Sequence, residues 1–314
     1  MGSLNWYLDY EAELAEVFSE VEAIINKFPQ PLNYTGLSYL NGFNVLKDGS
    51  SNNYICYLLP FWMMDILPMD RKLCNRLSVA NVLGMLYFFI QDDQMDSSSL
   101  PGKYQLPLAN LLHMKFLESY QELFPTGSPF WSFYSIYITD WAEAVSNEGQ
   151  AHHYLKNPLL MARKASPLKL CSTGACLLME QPNLIPIVSD AIDHVLATLQ
   201  MADDWVDWQV DLLEENYNSL IDFIISLNPI EFTGEINESF IKEAIYTKTL
   251  LTPFVDTAVK HQKHLAVSNH VIPHLLSFHD YIVKHLLEEA STIEKNRDAI
   301  IQGGFHYWMS NALE

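Results

Sequence analysis

Apolar residues recur along this chain at the three- and four-residue spacing of an amphipathic helix, and almost nowhere at the two-residue spacing of a strand. Leu14, Val17, Phe18, Val21, Ile24 and Ile25 trace one such stripe. Similar stripes run over residues 77–90, 108–123, 130–145, 187–213, 240–259 and 271–293, and 54–59 is the nearest approach to a strand. Pro and Gly fall mainly between the stripes, as at Pro29/Pro31, Pro101-Gly102 and Pro229. These periods predict an all-α fold of roughly ten helices. No repeat, linker or composition break divides the chain, so residues 1–314 read as a single domain.

Charge narrows the function. The 314 residues carry 18 Lys+Arg against 38 Asp+Glu, a net charge of −20, yet 49% are hydrophobic. That is too apolar for a disordered acidic chain. It is too acidic for a phosphate-gripping nucleic-acid binder or for docking on an anionic membrane through a basic patch. Cys56, Cys74, Cys171 and Cys176 form no CxxC pair and read as reduced core thiols. Met1-Gly2-Ser3-Leu4-Asn5 lacks the basic and apolar regions of a secretory leader, and the apolar runs 54–64 and 82–90 are too short to span a bilayer. The expectation is a cytoplasmic protein without membrane insertion.

The acids are unevenly placed. Between Lys169 and Lys242 there is no Lys or Arg, while 13 Asp and Glu fall in that interval. Within it, Asp203, Asp207 and Asp211 repeat every four residues and share one helix face, with Asp204 beside them. Like charges so spaced destabilise a helix, and burying them unpaired is costly. A second cluster, Asp92-Asp93-Gln94-Met95-Asp96, ends the apolar stripe at Tyr87-Phe88-Phe89-Ile90. Asp92 and Asp96 share a face with Phe88 one turn deeper, at the helix end where carboxylates are least welcome. Two solvated acidic faces are the plain reading of these clusters. Hard divalent cations are the other: Mg²⁺ takes oxygen ligands and bridges carboxylates to substrate phosphates.

Asp92-Asp93-Gln94-Met95-Asp96 resembles the DDxxD motif of class I terpene synthases and isoprenyl diphosphate synthases. Asp203-Asp204-x-x-Asp207-x-x-x-Asp211 resembles their second metal motif, with Asp in place of both the usual hydroxyl residue and the usual terminal Glu. The resemblance covers residues 77–308; the interval from Asp92 to Asp203, 111 residues, is short for the family. It implies a helical bundle of the class I isoprenoid synthase type around a central active-site cavity. It also implies metal ligation by Asp92, Asp93, Asp96, Asp203, Asp204, Asp207 and Asp211. Three Mg²⁺ ions would bind, with Mn²⁺ able to substitute, and a homodimer is compatible with it.

Enzymes of this kind that join two isoprenoid diphosphates follow the first motif with paired arginines. Here Ser97-Ser98-Ser99-Leu100-Pro101-Gly102 follows, and the first 70 residues hold only Lys27 and Lys47. With no second cationic site, the resemblance implies a terpene cyclase, a carbon–oxygen lyase that ionises one linear prenyl diphosphate of C15 or C20 and rearranges the carbocation. An isoprenyl diphosphate synthase or prenyltransferase with an unusual acceptor is the alternative. Metal and basic side chains would assist C–O cleavage, with Asp92 and Asp96 at the reacting end. Phe88 and Phe89 would face the cation, and Trp62, Trp131, Trp205, Trp208 and Trp308 are further wall candidates. The diphosphate would be held by Arg163, Lys164 or Lys169, the last just ahead of a helix break expected at Gly174. Tyr307, preceded by His306 where the family has Arg, would complete that grip. His261/His264 and His270/His274 have metal-ligand spacing without an acid triad and read as surface or capping residues. No GxSxG, P-loop, GxGxxG or HExxH pattern occurs.

Overall fold

The apolar stripes fold as helices. The computed structural model describes residues 5–96, 102–148, 157–227, 236–267 and 272–311. It is 82% helical, with no strand among the described residues. In chain order the helices are α1 (Asn5–Leu8), α2 (Glu11–Ile25), α3 (Leu32–Phe43), α4 (Tyr54–Trp62), α5 (Arg71–Asp96), α6 (Gln105–Gln121) and α7 (Phe130–Ser146). A 3₁₀ segment, Pro158–Leu168, leads into α8 (Lys169–Leu178) and α9 (Ile185–Glu214). After these come α10 (Ser219–Leu227), α11 (Glu238–Lys242), α12 (Leu251–Val267) and α13 (Pro273–Asn311). The chain divides into two compact units: Met1–Ala142 with Ala165–Ile192 and His270–Ser277, and Glu143–Lys164 with Asp193–Asn269 and Phe278–Glu314.

In the first unit α5 is the central element, packed along α4 and α6 and also against α2 and α8. Asp70 starts it by accepting the Leu73 backbone N–H at 2.7 Å, the bond an N-cap makes. Leu77, Ala80, Val82, Leu83, Leu86 and Ile90 are all buried, a helix apolar around most of its circumference, as an interior helix must be. Gly84 lets α6 close in: a Cβ there would stand 2.8 Å from the Phe116 ring. The α2 stripe behaves as its period predicts, with Leu14, Val17, Phe18, Val21 and Ile25 all buried.

Residues 54–59, the closest approach to a strand, are helical as part of α4. Tyr57, Leu58, Leu59, Phe61 and Trp62 are buried around the whole helix, so no polar face marks the period. A short apolar run of this kind carries no signal that separates strand from buried helix. The break expected at Gly174 is also absent, since α8 runs unbroken through it. Gly174 serves packing instead: a Cβ would lie 3.2 Å from Phe124, whose ring stacks on Phe130 at 4.1 Å. The backbone breaks earlier, at Ala165 (φ −109°, ψ 15°).

In the second unit α10 packs on α12. The stripe over 240–259 is not one helix. It passes through a π turn at Glu243–Thr247 and a left-handed Thr249 (φ 54°) before α12 begins. Pro253 explains the restart, because its ring excludes the helical carbonyl four residues earlier. The Thr198 hydroxyl joins His261 Nδ1 at 3.1 Å and His279 Nε2 at 2.9 Å. His261 and His279 are therefore core residues, buried rather than superficial.

Two helical stretches, Arg71–Met95 and Pro182–Glu214, are long and apolar enough to cross a bilayer by length and composition. Their most apolar windows are 67% and 50% buried inside the fold, which marks them as core helices.

Candidate functional site

The first aspartate cluster occupies the last two turns of α5. Asp92 is half-buried and Asp93 exposed; Asp96 ends the helix, and its side chain lies outside the described residues. The Tyr39 hydroxyl, on α3, donates to Asp93 Oδ2 at 2.8 Å. Burial, the bond to Asp93 and the charges of Asp93 and Asp92 together push the Tyr39 phenol far above its usual range. Gln94 Nε2 bonds Gln105 Oε1 at 2.7 Å and ties this helix end to the start of α6. Phe88 stands edge-on to Trp141 at 5.0 Å, and Phe89 packs on Phe43 at 5.1 Å. Trp62 is a core residue whose indole donates to the Trp6 carbonyl. Trp131 donates to the Pro125 carbonyl and Trp208 is buried, while the Trp308 side chain lies outside the described residues.

Lys169 belongs to the same unit. It is 5% exposed, with its ammonium 4.9 Å from the Tyr137 ring centroid. Tyr137 in turn bonds Thr173 Oγ1 at 2.9 Å and Ser189 Oγ at 3.1 Å. His274 is also here: its ring Nδ1 and its backbone N–H both bond Asp65, at 2.7 and 2.9 Å, fastening the start of α13. His270 lies outside the described residues.

The second cluster lies on α9 in the other unit. Asp203 and Asp207 are exposed, Asp211 is half-buried and Asp204 is buried. Asp204 Oδ1 accepts from Gln200 Nε2 at 2.8 Å, and its Oδ2 accepts from both the backbone N–H and the hydroxyl of Ser219. Burial raises the Asp204 carboxyl to about 6 against the lowering effect of these bonds. Asn218 caps α10 by accepting from Leu220 and Ile221, while its amide donates to the Asp204 carbonyl and to Asp211 Oδ2 (2.7 Å). Asp204 thus closes the turn that launches α10, and Asp203, Asp207 and Asp211 are the carboxylates that reach solvent. Burial and Asp207 push the Asp211 carboxyl up, while Asn218 and Lys164 pull it down.

Beside this row is a cavity of about 390 Å³ lined by Arg163, Lys164, Glu143, Glu148, Gln200 and Tyr217 among others. Lys164 pairs with Glu148 at 2.7 Å and Arg163 with Glu143 at 3.8 Å. Of the three basic residues picked out by sequence, Arg163 and Lys164 line this pocket and Lys169 does not; the pocket's Gln200 wall is bonded to Asp204. Tyr307 lies on the final stretch of α13, and its side chain is outside the described residues. Arg297 is engaged with Asp298 and Thr249.

Apart from the buried Asp204, the described carboxylates of both clusters are exposed or half-buried hard oxygen donors, which fit Mg²⁺ better than a soft metal. Tyr39, Ser219, Asn218, Glu143 and Glu148 are not picked out by sequence. Asn218-Ser219 ahead of the run 220–225 is a helix-start pattern that could have been read. Tyr39, 54 residues from Asp93, carries no such signal.

The helical architecture is the all-α isoprenoid synthase fold. A solved structure with that fold, a geranylgeranyl pyrophosphate synthase from Lactobacillus brevis ATCC 367, is similar to this chain with a TM-score of 0.67. The likeness covers 89% of this chain and 96% of that one, at 12% identity. No protein-family model matches the sequence, and no curated protein matches it.

Proposed function

We propose that this chain, as one class I terpene synthase-like α-domain, is a Mg²⁺-dependent terpene cyclase that ionises a linear prenyl diphosphate. The observation that carries the reading is the pairing, within one unit, of the Asp203–Asp207–Asp211 row with the Arg163–Lys164 cavity. Lys164 lines that cavity and its charge also acts on Asp211. Anion-binding cations and metal-binding carboxylates side by side are what a metal–diphosphate complex requires.

In this reading Asp92, Asp93 and Asp96 are metal-binding carboxylates of the first unit, and Asp203, Asp207 and Asp211 are metal-binding carboxylates of the second. Asp204 fixes the helix end behind them. Mg²⁺, when bound, would supply the positive charge that draws off the diphosphate leaving group. Lys164 and Arg163 bind diphosphate oxygens, Lys164 as a point charge and Arg163 through its planar fork. Phe88, edge-on to Trp141, and Phe89, packed on Phe43, are both half-buried and are the aromatic candidates for facing the carbocation.

A second reading, chain elongation, is favoured by the solved neighbour, itself a geranylgeranyl pyrophosphate synthase. It lacks a basic pair after Asp96. Incubation of the purified protein and Mg²⁺ with C10, C15, C20 and C25 diphosphates, with and without isopentenyl diphosphate, separates the two. Hydrocarbon formed from one substrate alone supports the cyclase. Longer diphosphates formed only with the co-substrate support the elongating enzyme. No turnover under any condition, with no response to chelator, overturns both and leaves a helical acidic scaffold.

A further inference from the structure

Helices α3 and α5 meet through two matched pairs of side chains, each pair one turn apart: Tyr39 and Phe43 on α3, Phe89 and Asp93 on α5. Phe43 packs on Phe89 with ring centroids 5.1 Å apart, and Tyr39 stands edge-on to Phe43 at 5.1 Å. The apolar half of this ladder fixes where the Tyr39 ring sits, and the hydroxyl then reaches Asp93 Oδ2 at 2.8 Å. An exposed carboxylate at a helix end needs no protein partner for its solvation, because water supplies one. This bond therefore contributes orientation more than solvation: it ties one oxygen to α3 and leaves Oδ1 for another ligand.

We infer that Tyr39 is a positioning residue for the first metal cluster, holding the Asp93 carboxylate in the orientation that binds a divalent cation. The inference rests on the metal reading proposed above. Hydrogen bonds from the surrounding protein to ligating carboxylates characteristically set metal affinity, and their loss weakens binding by about 10–100-fold.

Tyr39→Phe keeps the ring and its contact with Phe43 while deleting the hydroxyl. Mg²⁺ binding by calorimetry and Mn²⁺ binding by electron paramagnetic resonance, both without substrate, should weaken about tenfold or more. The metal-free melting temperature should stay close to wild type. If the enzyme turns over, the activity lost should return at raised Mg²⁺. In an Asp93→Asn background the same Tyr39→Phe change should have no further effect on metal binding. Unchanged or tighter metal binding in Tyr39→Phe, with wild type binding normally, overturns the positioning role and leaves Tyr39 as a clamp between helices. A wild-type protein that binds no Mg²⁺ overturns the metal reading itself, and the Tyr39 role with it.

Discussion

Ser219 donates its backbone N–H, at 2.9 Å, and its hydroxyl to a single carboxylate oxygen of Asp204, fifteen residues earlier in the chain. One aspartate of an acidic run is thus a buried cap for the next helix, while Asp207, one turn along from Asp203, stays in water. The two should respond oppositely to substitution. Asp204→Ala strands a buried N–H and an amide and should cost about 1–3 kcal/mol of folding stability. Asp207→Ala should leave stability unchanged or raise it by a few tenths of a kcal/mol, since it relieves like-charge repulsion on the helix face. Asp207→Ala should weaken Mg²⁺ binding all the same. Denaturant midpoints and metal titrations of the two variants check this; a stability loss in Asp207→Ala as large as in Asp204→Ala would contradict it.

The histidine core makes the second unit sensitive to acid. Burial, with the neighbouring His194, His264 and Lys260, lowers His261 to about 4. Burial, with His261 and His194, lowers His279 to about 3. Unfolded histidine titrates near 6.5, so below that pH the unfolded chain binds protons that the folded chain refuses. Stability contributed by these two groups is complete above about pH 6.5 and is lost as pH falls towards 4 and 3. Asp204 works the other way: its raised value near 6 favours the folded state at lower pH, and that contribution is lost as pH rises from about 4 to about 6. Two strongly lowered histidines outweigh one raised carboxyl, so the urea midpoint should fall between pH 6.5 and 4. His279→Gln should flatten that slope; a slope unaltered by the change would place the acid sensitivity elsewhere.

Elements whose signal is local were legible in the sequence. The α2 stripe became a buried face because a 3.6-residue period and one-sided burial are the same fact. The i, i+4, i+8 spacing of Asp203, Asp207 and Asp211 likewise placed three acids on one face before any coordinates. Residues 54–59 were not legible, since total burial of α4 erases the polar side that reveals a period. The role of Asp204 depends on Ser219 folding back onto it, and that of Tyr39 on a helix 54 residues away. Such pairings are products of tertiary structure, and a single sequence holds no local trace of them.

Gly84 tests how tightly α5 and α6 are packed. In an exposed helix interior Gly→Ala gains about 1 kcal/mol. Here the added Cβ would lie 2.8 and 2.9 Å from two atoms of the Phe116 ring, which is 1% exposed and braced edge-on by Tyr120 at 5.3 Å. Overpacking a braced core site costs about 1–3 kcal/mol and should win. Gly84→Ala should therefore lower the melting temperature, and Gly84→Ala with Phe116→Leu should recover part of the loss. A stabilised single variant would mean that the ring moves freely.

In the proposed reading Glu148 would compete with a diphosphate for Lys164. The two side chains are each 24% exposed and pair at 2.7 Å inside the cavity. A diphosphate entering that pocket would displace a carboxylate already bonded to Lys164, while Arg163 is paired more loosely with Glu143. Glu148→Gln keeps the shape and deletes the charge. Inorganic pyrophosphate should then bind about tenfold more tightly, a gain of about 1.4 kcal/mol that matches one charge-assisted hydrogen bond no longer contested. Lys164→Ala should abolish the gain. Calorimetric titration of the three proteins decides the matter: weaker pyrophosphate binding in Glu148→Gln would mean that Glu148 orients Lys164 towards the anion instead of blocking it.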